Sequence, residues 1–191
     1  MPVFQFDPPE RFVAGTVGQP GERAFFLQAA GAGRITSVAV EKQQVAALAE
    51  RVEELLEEVR ERFGTTPPQG EDVGADDDPL QLPIEQDFQV GTMALAWDPD
   101  AERVIIEAQE VTENSEEEED TAPEESVFTE EGPAARDVLR VHLTPAAARA
   151  FAKRAMRVVS AGRPTCPLCG QPLDPSGHIC PRQNGHKRLT L

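Results

Sequence analysis

The sequence predicts an α+β fold: an antiparallel sheet with helices on one face and a small zinc-binding module at the C-terminus. Short runs rich in β-branched and aromatic residues alternate with turn signals, which is typical of strands. Two longer segments have the apolar spacing of amphipathic helices. All three cysteines follow residue 165 at metal-ligand spacing. The order strand, strand, strand, helix occurs twice, so we predict duplicated βββα units.

The first unit is predicted to cover residues 1–64. Its strands are expected at 12–17, 24–29 and 34–41, because glycine-containing turns separate these runs at 18–21 and 31–33. A helix is expected at 43–63, and Gly64 follows it where a C-terminal cap is common. The apolar residues of this helix fall on one face, namely Val45, Leu48, Val52, Leu55, Leu56, Val59 and Phe63.

The second unit is predicted to cover residues 88–160. Strands are expected at 88–97, 103–111 and 138–143, with a turn at 98–100. Thr144 and Pro145 then open a helix that runs to about residue 160, since a threonine caps a helix well and proline suits its first turn. A weak likeness between Gly15-Thr16 and Gly91-Thr92 accords with a duplication, although coincidence is an alternative.

Two segments have compositions that do not favour a packed core. Residues 65–87 are predicted to be a linker, because their first part is rich in proline, glycine and acids. Residues 112–135 contain ten acidic residues that repel one another, and we expect this loop of the second unit to be disordered. The alternative is that the loop acts as an acidic decoy for a basic surface, which could be that of the chain's own tail.

Charge is distributed unevenly in this acidic chain, whose formal net charge is −16. Residues 151–191 hold seven of the 18 basic residues and one of the 34 acidic ones. Residues 1–150 therefore repel phosphate backbones, whereas residues 151–191 attract them. The sequence shows no signal peptide and no apolar run of the roughly 20 residues that span a bilayer, so we expect a cytoplasmic protein without a membrane partner.

The tail, residues 161–191, is predicted to fold around one structural zinc ion. Cys166 and Cys169 are separated by two residues, and His178 and Cys180 follow after a turn, which is ligand spacing for tetrahedral zinc. The segment has few apolar residues, so the metal would supply its folding energy. Four protein ligands leave no position for a reactive water, which favours a structural ion. His186 is an alternative ligand in a polar, basic stretch.

Several motifs together resemble a family of bacterial proteins of unknown function, DUF3090. They are RFVAGTVG at 11–18 with Gln28, EKQQ at 41–44, GTM at 91–93 and SAGRP at 160–164, followed by CPLCG and GHICPRQNG. The resemblance covers nearly the whole chain apart from the two acidic segments. It implies a cytoplasmic protein with this domain plan and supplies neither activity nor substrate. It also implies an aromatic residue where this chain has His186, which makes His186 a poorer zinc ligand.

The leading functional hypothesis is an uncharacterised protein-binding or adaptor module with an unknown protein partner. The sequence contains no P-loop, no G-x-G-x-x-G after a strand, no G-x-S-x-G and no H-E-x-x-H motif. His142 lies within a predicted strand, so a role in the sheet is favoured over general-base catalysis. No catalytic residue is therefore assigned, and we lean against an enzyme.

Two other classes of function stay open. The basic residues around the zinc site could hold nucleic acid, but no aromatic residue within 152–191 can stack on a base. The other class is an enzyme or phospho-ligand-binding protein that uses the sheet domain. Its weak candidates for an anion pocket are Arg11, Glu41, Lys42 and Gln44, and helix capping is the alternative role for the last three.

Overall fold

The computed structural model describes residues 2–19, 21–63, 76–111, 136–162 and 166–169, together with Cys180 and Arg182. Within these residues the chain forms a mixed α+β structure with a seven-stranded sheet and two helices. The elements are β1 Val3–Phe6, β2 Arg11–Val17, β3 Ala24–Gly31, β4 Arg34–Val40, α1 Lys42–Phe63, β5 Gln86–Asp98, β6 Arg103–Glu110, β7 Val138–Leu143 and α2 Pro145–Ser160.

The predicted strands and helices are all present, and β1 is an additional strand that the sequence analysis did not predict. The order strand, strand, strand, helix does recur, as β2-β3-β4-α1 and β5-β6-β7-α2. Thr144 caps α2, since its hydroxyl accepts a hydrogen bond from the Ala147 amide at 3.1 Å. A recurring element order does not by itself establish a duplication, which stays a prediction.

The sheet is mixed, which corrects the prediction of an antiparallel sheet. Its strand order is β1-β7-β6-β5-β4-β3-β2. Pairing is antiparallel within β2-β3-β4 and within β5-β6-β7, but β4 pairs with β5 and β1 pairs with β7 in parallel. Parallel neighbours require a crossover connection, and the connection between β4 and β5 contains α1.

The sheet is strongly curved. Strands β1 and β2 are at opposite ends of the strand order, yet the four residues 7–10 join them. Such a connection spans at most about 19 Å, whereas the edges of a flat sheet of this size would lie about 29 Å apart. Accordingly, a Cβ atom on Gly31 of β3 would lie 3.3 Å from the Phe6 ring of β1. The Arg34 guanidinium also lies 4.9 Å from the centroid of that ring.

Both helices pack on one face of the sheet, which we call the helix face, as predicted. They contact each other as well as the sheet, and the Phe12 and Phe151 rings stack at a centroid distance of 4.6 Å. The core lies between these layers and is built mainly from aliphatic side chains. Its fully buried members include Leu27, Val38, Val45, Val52, Val104, Ile106, Leu139 and Val141. Neither described helix is both long and apolar enough to cross a membrane.

A second, smaller apolar cluster lies on the opposite face, which we call the outer face. Leu80, from within the predicted linker, packs there with Val13, Phe26 and Ala39. A Cβ atom on Gly15 would lie 2.6 Å from the Leu80 side chain, so the glycine leaves room for the leucine. Residues 76–85 are therefore docked on the sheet, and we call them the docked segment. Since β5 begins at residue 86, the structure corrects the linker prediction for residues 76–87. Residues 64–75 lie outside the described residues, as does the acidic loop 112–135.

Candidate metal centre

Three of the four predicted zinc ligands lie together. The sulfur atoms of Cys166, Cys169 and Cys180 all lie within 4.8 Å of one another, and the Cys166 and Cys180 sulfurs are 3.9 Å apart. Thiolates bound at about 2.3 Å around one tetrahedral zinc ion would lie about 3.8 Å apart. The spacing of the sulfurs therefore fits a shared metal ion.

The backbone after Cys166 turns so that its amides face the Cys166 sulfur. The Cys169 and Leu168 amides both donate to it, the latter at 3.4 Å, and these bonds lower the pKa of the Cys166 thiol. Cys166 and Cys180 are buried and Cys169 is half-buried. Since the thiolate is the form that binds metal, this environment favours coordination.

One further contact joins the two parts of the cluster. The Arg182 side chain, two residues after Cys180, donates to the Leu168 carbonyl at 2.9 Å. This bond links the chain around the third sulfur to the turn between the first two. The predicted fourth ligand, His178, and its alternative, His186, lie outside the described residues.

The four candidates for an anion pocket do not converge. Glu41, Lys42 and Gln44 are at the start of α1, where the Gln44 side-chain oxygen accepts from the Glu41 amide at 2.8 Å. This is the reciprocal half of a capping box. Arg11 is across the sheet, because the strand register aligns it through Ala30 with residue 35. That position is six residues before Glu41 on β4, or about 20 Å along the strand.

Arg11 instead forms an ion pair that the sequence analysis missed. Its Nε and Nη2 atoms donate to the two carboxylate oxygens of Asp76, at 2.6 and 2.9 Å. Arg154 of α2, which is 7% exposed, donates to the same carboxylate at 2.8 Å and to the Ala14 carbonyl at 2.9 Å. Its Nη2 atom also donates to the Asp78 carbonyl at 2.7 Å. The two arginines thus hold the start of the docked segment.

A buried carboxylate lies on the outer face of the second half of the sheet. Glu107 is 2% exposed and accepts from Arg140 at 2.8 Å and from Gln109 at 2.8 Å. His142 follows on the same face of β7, with its Nδ1 atom 3.9 Å from an Asp7 carboxylate oxygen. These groups are spread along the pleated surface, which matches the role in the sheet predicted for His142.

The fold and the cysteine cluster define a mixed α+β protein with a C-terminal site that could hold a metal ion. The chain belongs to the DUF3090 family, proteins of unknown function, whose family model matches residues 4–180. That range includes both helices and all three cysteines. Neither the comparison with curated proteins nor the comparison with solved structures gave a match.

Proposed function

We propose that the C-terminal cluster is a structural zinc site made by Cys166, Cys169, His178 and Cys180. The observation that carries the proposal is the convergence of three sulfurs within 4.8 Å. Three thiolates favour a soft or borderline metal ion over magnesium or calcium, and a histidine would complete a tetrahedron. Zinc bound by four protein ligands would stabilise the fold around it and would not activate water.

We propose further that the zinc-stabilised protein is a binding or adaptor module that works in the cytoplasm. Reduced thiols persist in such a compartment. Two observations favour binding over catalysis: the anion-pocket candidates lie apart, and Arg11 is already paired with Asp76. Nucleic-acid binding through the basic tail has less support, since the chain has a formal net charge of −16 and residues 152–191 contain no aromatic side chain that could stack on a base.

Metal analysis of the full-length protein, purified under reducing conditions, tests the zinc site. We expect about one zinc ion per chain, and a marked loss in Cys169→Ser and His178→Ala, because each removes a ligand. His186→Ala is the matched control and should retain the ion. Less than about half an ion per chain in the unaltered protein would contradict the proposal. Equal loss in His178→Ala and His186→Ala would contradict the assignment of the fourth ligand.

A further inference from the structure

Strand β5 has an open edge along its second half. It is 13 residues long, but it pairs with β4 only over residues 86–89. The reason is that β4 ends at Val40 and the chain then enters α1. Between Thr92 and Asp98, β5 is paired with β6 on one side and with no described strand on the other.

The strand register shows which backbone groups of β5 face that edge. Hydrogen-bonded and non-bonded pairs alternate along antiparallel strands. The Glu110 amide of β6 donates to the Asp137 carbonyl before β7, so residues 110, 108, 106 and 104 bond toward β7. Glu107 and Ile105 therefore bond toward β5, where their partners are Ala94 and Ala96.

It follows that Met93, Leu95 and Trp97 direct their N–H and C=O groups away from β6. Within the described part of the chain, these groups have no hydrogen-bond partner on that side. Three residues at alternate positions thus offer the donors and acceptors that an additional strand requires. Their side chains pack against the helix-face core and are half-buried.

A groove runs beside this edge, between β5 and α1. Its volume is about 300 Å³, which is in the range of ligand pockets. Leu48, Leu55, Met93 and Leu95 give it an apolar lining, and the exposed Ala47 also borders it. The charged border consists of Arg51, Glu54 and Glu58.

The two terminal edges of the sheet, on β1 and β2, differ from the open edge of β5. Arg34 donates to the Gln5 carbonyl on β1 at 3.4 Å, and Arg154 donates to the Ala14 carbonyl on β2 at 2.9 Å. Arginine side chains therefore occupy acceptors on both terminal edges, which discourages pairing with another chain. On β5 the Gln44 side chain likewise donates to the Gly91 carbonyl at 3.1 Å, where the free edge begins. Beyond that point, from Thr92 to Asp98, the open edge is distinguished by the lack of such a contact among the described residues and by the apolar groove beside it.

We propose that this groove binds an extended segment of a partner polypeptide, which adds to β5 as a further strand. Backbone bonds to residues 93, 95 and 97 would provide affinity, and pockets for alternate side chains would provide selectivity. The apolar lining calls for apolar side chains at alternate positions. The segment should also be basic, because Arg51 is already paired with Glu54 at 2.9 Å and Glu58 adds a further negative charge. This inference rests on the proposed binding function and is independent of the zinc ion.

Selection of a displayed library of short random peptides on the full-length protein tests the proposal. We expect enriched peptides with apolar residues at alternate positions and lysine or arginine between them. A synthetic copy of the most enriched peptide should bind Ala47→Arg at least about tenfold more weakly, because the new side chain fills and charges the groove. Gln43→Arg, on the exposed first turn of α1, is the matched control and should bind normally. If no peptide is enriched on the unaltered protein relative to the Ala47→Arg variant, the proposal is overturned.

Charge reversal distinguishes attraction of the peptide to the groove from its attraction to the acidic chain as a whole. The double variant Glu54→Lys, Glu58→Lys should bind the selected peptide more weakly. The double variant Glu50→Lys, Glu57→Lys makes the same change in net charge outside the groove and should weaken peptide binding less. Bound peptide should also protect the amides of Met93, Leu95 and Trp97 from hydrogen exchange. The Ala94 and Ala96 amides already bond to β6 and should not change. Equal effects of the two charge reversals, or protection at other strands, would overturn the site.

The same assays identify other occupants. If a synthetic peptide of residues 183–191 displaces the selected peptide, the groove belongs to the chain's own tail, and the proposal of a partner polypeptide is overturned. Dimerisation that Ala47→Arg abolishes would assign the groove to a second copy, with the same consequence. Zinc content measured on each preparation keeps the proposals distinct: loss of peptide binding with zinc retained contradicts the groove alone, and peptide binding without zinc contradicts the metal centre alone.

Discussion

At the scale of single residues, Asp76 shows how one carboxylate can fix a segment that carries few apolar side chains. Arg11 and Arg154 come from a strand and a helix far apart in sequence, and both donate to this carboxylate. The hydrogen bond from Arg11, followed by the positive charges of both arginines, lowers the pKa of Asp76, although partial burial opposes this. Folding therefore favours the ionised form.

That lowered pKa predicts a specific pH dependence of stability. Because the folded-state pKa of Asp76 is below its unfolded value, its contribution is complete above about pH 5 and is lost as pH falls through the unfolded-state and then the folded-state pKa. We expect Asp76→Asn to lower the free energy of unfolding at pH 7 by about 2 kcal/mol. Urea unfolding should show this deficit shrinking below about pH 5. The exposed Asp77→Asn is the control, and a deficit that persists unchanged at low pH would refute the explanation.

At the scale of elements, the docked segment depends on the missing side chain of Gly15. Gly15→Ala should displace Leu80 and lower the free energy of unfolding by about 1–3 kcal/mol, because the added Cβ atom would overlap the Leu80 side chain. Leu80→Ala should lower it too, by opening a cavity. If the two residues act through this contact, the double variant loses less stability than the sum of the single variants in chemical denaturation. Additive losses would show that the glycine is needed for another reason.

Elements were predictable where their signals are local. Both helices begin and end within one residue of the predicted bounds, since side-chain periodicity and caps lie within each segment. Strand β1 has only four residues between Pro2 and Pro8, so it carries little pattern. The parallel β4–β5 pair and the docking of Leu80 depend on contacts between distant segments. The spacing of the three cysteines was enough to predict that they cluster. The sequence separation of Arg11 and Glu41, however, does not determine their distance across the sheet.

At the scale of the whole molecule, the body and the cysteine cluster have separate sources of stability. The apolar clusters of the body are made by the sheet, both helices and the docked segment, and none of the three cysteines belongs to them. The body can therefore bury its apolar side chains without the metal ion. The three sulfurs of the cluster lie within 4.8 Å of one another, so bonds from these sulfurs to a metal ion would supply its stability.

This separation predicts that a chelator leaves the body folded. After zinc removal under reducing conditions, the melting temperature followed by circular dichroism, which reports the sheet and helices, should change by no more than a few degrees. Protease cleavage after residue 160 should become much faster, because the tail loses the ion that would order it. Cys169→Ser should reproduce both results without chelator, which excludes an effect of the chelator itself. A large fall in the melting temperature would instead mean that the metal centre supports the packing of the body, and the two would then form one cooperative unit.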